Sequence, residues 1–154
     1  MERLLLRAAR EAAGGCGEAF FEKEPGRLYV RGDVDCLKKS LARVFGVRAV
    51  SPAHMSVFKE LGDIVDAAVG LWGEAVRGRK FAVRAHRVGA HSFTSRDVAA
   101  AVGSALVRQG GVVDLENPEV ELYVEVRGDR AFLYREVVEG PGGLPLGSEG
   151  KVLA

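Results

Sequence analysis

The alternation of helix-type and strand-type apolar spacing, run through twice and interrupted once, limits what this chain can fold into. Leu4, Leu5, Ala8, Ala9 and Ala12 recur at helical spacing over residues 3–13, closed by Gly14-Gly15. Two strand segments follow, Glu18 to Lys23 and Leu28-Tyr29-Val30, joined by the turn signal Glu24-Pro25-Gly26-Arg27. A second helix carries Leu37, Leu41, Val44 and Phe45 on one face; Asp33 or Asp35 can cap its start and Gly46 can end it. Val47 to Val50 reads as a third strand, and Ser51-Pro52 breaks the pattern. The alternation then restarts with a helix over 60–77, whose stripe is Leu61, Ile64, Val65, Ala68, Leu71, Trp72 and Ala75.

A strand begins at Phe81-Ala82-Val83, and a helix follows with Val98, Ala101, Val102, Ala105 and Leu106 toward the core. Thr94, the only threonine, can cap that helix, with Asp97 three residues on completing a capping box. Asn117-Pro118 is a turn signal, Val120 to Val126 alternates as a half-buried strand, and Gly128-Asp129 can close a hairpin onto Ala131–Val138. The predicted class is α/β (α+β), in two small units: residues 1–54 and 55–139, followed by a Gly/Pro-rich linker and tail over 140–154.

Composition excludes several classes. No apolar run approaches the about 20 residues needed to span a bilayer, and the N-terminus lacks a signal-peptide core, so a cytoplasmic protein without a membrane partner is expected. Cys16 and Cys36 lie in no C-x-x-C pattern and read as buried or incidental thiols. Sixteen Arg against six Lys, with one Asn and one Gln, fits a heat-adapted source or GC-rich coding. Arg-Gly-Asp occurs at Arg31–Asp33 and at Arg127–Asp129, and both read as turns.

The net charge of +1 hides a segregation. Arg77 to Arg96 holds six Arg or Lys and two of the three histidines without one Asp or Glu; Asp114, Glu116, Glu119, Glu121, Glu125 and Asp129 come later. Such a cluster calls for an anionic partner. Lys80, Arg84 and His86 alternate along a strand and so share a face. Arg96 lies in the first turn of a helix, where a cation is unfavourable unless an anion compensates, and Phe93 is a candidate for core burial or for stacking on a base. Catalytic signals are weak. His86 and His91 lie five residues apart across a turn without a partnering cysteine, which is a poor metal signal. Ser92 and Ser95 lack a nucleophile-elbow context, and Gly140–Gly147 fits neither a Walker loop nor G-x-G-x-x-G after a strand. No cofactor, metal or catalytic residue is expected.

The segment K-F-A-V-R-A-H-R-V-G-A-H-S-F-T-S-R-D-V from Lys80 to Val98, then V-D-L-E-N-P-E-V from Val113, V-E-V from Val124 and E-G-P-G-G-L-P-L-G from Glu139, resembles the THUMP domain of tRNA 4-thiouridine synthases, enzymes also linked to thiamine biosynthesis. The first half resembles the ferredoxin-like domain that precedes it. The resemblance implies binding of tRNA, above all its single-stranded 3′ end and acceptor region, through Lys80, Arg84, His86, Arg87, His91, Phe93, Ser95 and Arg96, with Gly89 permitting the turn between strand and helix. It also implies a modifying enzyme as partner, in the same chain or another. That family continues into an ATP-pyrophosphatase domain with an S-G-G-x-D-S loop, whereas this chain stops at Ala154, so it is expected to hold tRNA rather than thiolate it. A fragment of a longer sulfurtransferase and a protein-interaction or assembly module are the alternatives. The family's ferredoxin-like unit starts with a strand central to its sheet, while this chain reads as starting in the helix, so a vacancy in the first sheet is expected unless residues 1–6 supply a short strand.

Overall fold

The structure, a computed structural model, describes residues 2–24, 27–141 and 150–153. The chain opens with α1 (Glu2–Ala12), a 3-10 turn (Ala13–Cys16), β1 (Phe20–Glu24), β2 (Arg27–Arg31), α2 (Val34–Leu41) and β3 (Val47–Ser51). Next come β4 (His54–Val57), α3 (Leu61–Trp72), β5 (Lys80–Val88), α4 (Ser95–Arg108) and β6 (Val112–Val113). The chain closes with β7 (Val120–Arg127), β8 (Arg130–Tyr134), β9 (Val138–Glu139) and β10 (Gly150–Leu153). Two compact units result, Met1–Ala53 with Glu136–Ala154, and His54–Arg135.

In the first unit the sheet order is β1-β2-β10-β3-β9. Leu5, Ala9 and Ala13 from the N-terminal helical segment meet Leu28, Val30, Leu37, Leu41, Val44, Val47 and Val50 in one core. A fully buried aliphatic side chain contributes about 1.5–3 kcal/mol. Asp33 is the cap of α2: its Oδ1 accepts from the Cys36 N–H at 3.2 Å. The helix is shorter than its apolar pattern implies. It ends at Leu41, and Phe45, expected on the core face, is 57% exposed. Past the last helical residue the 3.6-residue period no longer decides which way a side chain points.

The expected vacancy in the first sheet is filled by β10, which lies between β2 and β3 and runs parallel to both. A first strand feeding α1 would run the other way: a β-α-β crossover makes its strands parallel, and β1 is antiparallel to β2. The segment read as linker and tail therefore returns to the sheet, with β9 antiparallel to β3 at its edge. The Gly-rich stretch 142–149 and the turn residues Pro25-Gly26 lie outside the described residues. The cysteine expectation is also overturned. Cys16 and Cys36 form a disulfide with Cα atoms 5.6 Å apart, because the end of the 3-10 turn meets the first turn of α2. The pairing depends on a tertiary contact and has no local signature.

In the second unit the sheet order is β4-β8-β7-β5-β6, with β5 parallel to both β6 and β7. β4 occupies the stretch that reads in sequence as a boundary; it pairs antiparallel with β8. α3 and α4 supply Ile64, Ala68, Trp72, Val98, Val102 and Leu106 to a core shared with Phe81, Val83, Val120, Leu122, Val124 and Val126. α3 stops at Trp72 rather than reaching 77, and Leu71 of its predicted stripe is 44% exposed. Ala131–Val138, expected as one strand, divides into β8 and β9.

Candidate nucleic-acid interface

Strand β5 separates the basic residues by parity. Phe81, Val83 and Ala85 face the helices, so Lys80, Arg84 and His86 share the opposite face. Parallel pairing sets Glu121, Tyr123 and Glu125 of β7 beside Ala82, Arg84 and His86. The acids that are remote in sequence thus stand one strand away from the bases. Lys80 is the clearest case: its Nζ lies 3.9 Å from an Asp114 carboxylate oxygen, and its backbone N–H donates to Glu119 at 3.3 Å. Arg84 is half-buried and donates from Nη2 to the Leu115 carbonyl at 2.9 Å. His86 is exposed.

Arg87 has the other parity, and with the turn after it forms a second group. Its Nη1 donates to the Gly89 carbonyl and lies 3.0 Å from His91 Nδ1. His91 Nε2 is 2.7 Å from the carbonyl oxygen of Gly128, in the hairpin between β7 and β8. The His91 ring stacks on Phe93 with centroids 5.1 Å apart, and Phe58 stands 6.0 Å from both rings. Phe93 is 9% exposed and belongs to the core. Its ring is accordingly packed against protein, and of the two roles open to it from sequence the structure gives it the buried one. Gly89 has φ +116°, and a Cβ there would sit 3.1 Å from His91 Cε1. Glycine is needed both for the backbone and for the histidine.

The turn ends in the capping box of α4. The Asp97 N–H donates to Thr94 Oγ1 at 3.2 Å, and the Thr94 N–H donates to Asp97 Oδ2 at 2.8 Å. Ser95 and Arg96 are the first helical residues, and their N–H groups have no acceptor within the helix. Arg96 is exposed and Ser95 half-buried. The eight residues singled out from sequence are thus brought into one stretch of β5, turn and α4 but do not form one face. The sequence gives no sign of the partners supplied from elsewhere, the carbonyls of Leu115 and Gly128 and the β7 residue Tyr123. Tyr123 hydroxyl donates to Glu121 at 2.6 Å, and this bond, with burial, raises its pKa above the ordinary tyrosine value. Among the described residues no helix is long and apolar enough to cross a membrane, and no cluster of three or more His, Cys, Asp or Glu side chains is placed to hold a metal.

A THUMP domain model matches residues 58–136, which contain this whole arrangement, and the chain belongs to the THUMP-domain family. It is 66% identical to a tRNA sulfurtransferase of Pyrobaculum aerophilum over 154 residues, which is 100% of this chain and 32% of that one. It is 48% identical to a probable tRNA sulfurtransferase of Aeropyrum pernix, covering 100% of this chain and 40% of that protein. The chain therefore spans about a third to two fifths of the length of these relatives. Among solved structures, a Pyrococcus horikoshii protein superposes with a TM-score of 0.83 at 27% identity, over 96% of this chain and 53% of that one. A 4-thiouridine synthetase solved with RNA and ATP superposes at 0.71 over 95% of this chain and 38% of that one; at 23% identity it is similar in fold.

Proposed function

We propose that this chain is a tRNA-binding module that holds the single-stranded 3′ end and acceptor region of tRNA for a sulfur-transferring enzyme of the 4-thiouridine type. The active site it serves lies elsewhere, in the same or another polypeptide. The observation that carries the reading is the 66% identity along its whole length to a tRNA sulfurtransferase. The geometry supports it. Strand β5 delivers Arg84, His86 and Arg87 to a turn that ends at an exposed helix N-terminus, where the Ser95 and Arg96 N–H groups and the Arg96 side chain await an anion. Unpaired N–H groups and the positive end of the helix dipole suit a phosphate there. Lys80, with Asp114 beside it, is the weakest of the proposed contacts, and Phe93 serves from the core.

Equilibrium binding of an unmodified tRNA transcript tests this. Arg96→Ala is expected to weaken affinity about 5-fold, the scale of one charge-assisted contact, and Arg84→Ala with Arg87→Ala to weaken it further. The logarithm of the binding constant should fall steeply with the logarithm of salt concentration. Removing the terminal CCA should weaken binding as well. Equal affinity of trimmed and intact tRNA, together with an unaffected Arg96→Ala variant, would overturn the proposal.

A further inference from the structure

We infer that Arg87 is a bidentate phosphate-binding fork, and that His91, held as its neutral Nε2–H tautomer, is the residue that positions it. The inference rests on the tRNA-binding reading above and adds the ligand group, the atoms and the positioning residue.

The Arg87 guanidinium carries five N–H donors in a plane. The two on Nη1 are both taken, one by the Gly89 carbonyl and one by His91 Nδ1 at 3.0 Å. Three remain, and Nε–H with one Nη2–H forms an edge whose two parallel donors match two oxygens of one phosphodiester. Among the described residues these atoms have no protein partner, and neither is sealed from solvent. Arg87 as a whole is half-buried.

The arrangement dictates the state of His91. An arginine can only donate, so Nδ1 must accept and carries no proton. Nε2, 2.7 Å from the Gly128 carbonyl oxygen, must then be the N–H that donates. The ring is held further by its stack on Phe93 and by Phe58. His91 thus links the hairpin of β7 and β8 to the guanidinium. It is a positioning residue: both ring nitrogens already serve internal partners.

Two measurements on this chain test the idea. Nitrogen chemical shifts of His91 at neutral pH should report a bare Nδ1 and a protonated Nε2; an Nδ1–H or doubly protonated ring would overturn the assignment. In tRNA binding, Arg87→Lys keeps the charge and loses the fork, and is expected to weaken affinity about 5- to 10-fold. His91→Phe keeps an aromatic ring and loses both hydrogen bonds, and is expected to give a similar loss. The double variant should be no weaker than the weaker single one, because the two act as a unit. Wild-type affinity for Arg87→Lys, or losses that multiply, would overturn it. Arg96→Ala and the CCA-trimmed tRNA, run alongside, keep the readings apart. Effects there with none at Arg87 remove only the fork, and no effect in any arm removes the tRNA-binding reading itself.

Discussion

Gly89 concentrates several constraints at one residue. Its φ of +116° is a conformation L side chains rarely adopt, and the space where a Cβ would point holds His91 Cε1 at 3.1 Å. Gly89→Ala is therefore expected to destabilise the protein by about 1–3 kcal/mol, read as a lower midpoint in chemical denaturation. It should also weaken tRNA binding by displacing His91. Two carboxylates among the described residues contribute to the acid dependence. Asp63 lies below the ordinary value of 3.8 because the Lys59 and then the Glu60 N–H donate to it; Asp114 is lowered by the Asn117 N–H first, against some desolvation, with Glu116 and Lys80 adding. Their folded pKa values lie below the unfolded ones, so the stabilisation is present above 3.8 and is lost as pH falls through the folded values. Denaturation midpoints followed into acid should fall, and Asp63→Asn should flatten part of that decline. Tyr123 acts at the other end of the scale. Its raised folded value means that stability is intact below 10 and lost as pH rises through the folded pKa, a loss that Tyr123→Phe should remove.

Among the elements, α4 and β5 show how far local sequence reaches. The only threonine, followed three residues on by Asp97, marks the start of α4, and the structure has the reciprocal capping bonds there. Such a signal is legible because every atom in it lies within one turn. Thr94→Ala is expected to cost about 1 kcal/mol of stability and to speed amide exchange at the first turn of the helix. The charged face of β5 was legible only in part. Alternation put Lys80, Arg84 and His86 together, but the parallel partner β7, whose Glu121 and Glu125 alter the field around them, follows a helix and two further turns later. Likewise Arg87, His91 and Phe93 stand in the basic stretch as three more candidate contacts. Their division into a fork, a positioning ring and a core residue depends on the Gly128 carbonyl and on Phe58, which come from other elements.

For the whole molecule, the first unit is where the tertiary structure adds most. The disulfide closes a loop with a sequence separation of 20. Chain-entropy reasoning gives such a crosslink about 3 kcal/mol. Reduction is expected to lower the melting temperature by the corresponding amount, and thiol titration of the folded, unreduced chain should find Cys16 and Cys36 unreactive. β10 gives a separate test. Deleting residues 150–154 leaves β2 and β3 without their common neighbour, and amide exchange in both strands should accelerate. The helix and strand periods, the caps and turns, the doubled α/β plan and the basic segment are all written in the order of residues, because these depend on contacts between residues a few positions apart. That Cys16 meets Cys36, that β10 fills the centre of the first sheet, and that acids of β7 stand beside the bases of β5 came from the folded arrangement. Each of these joins groups far apart in the chain, and no local preference of either partner encodes the other.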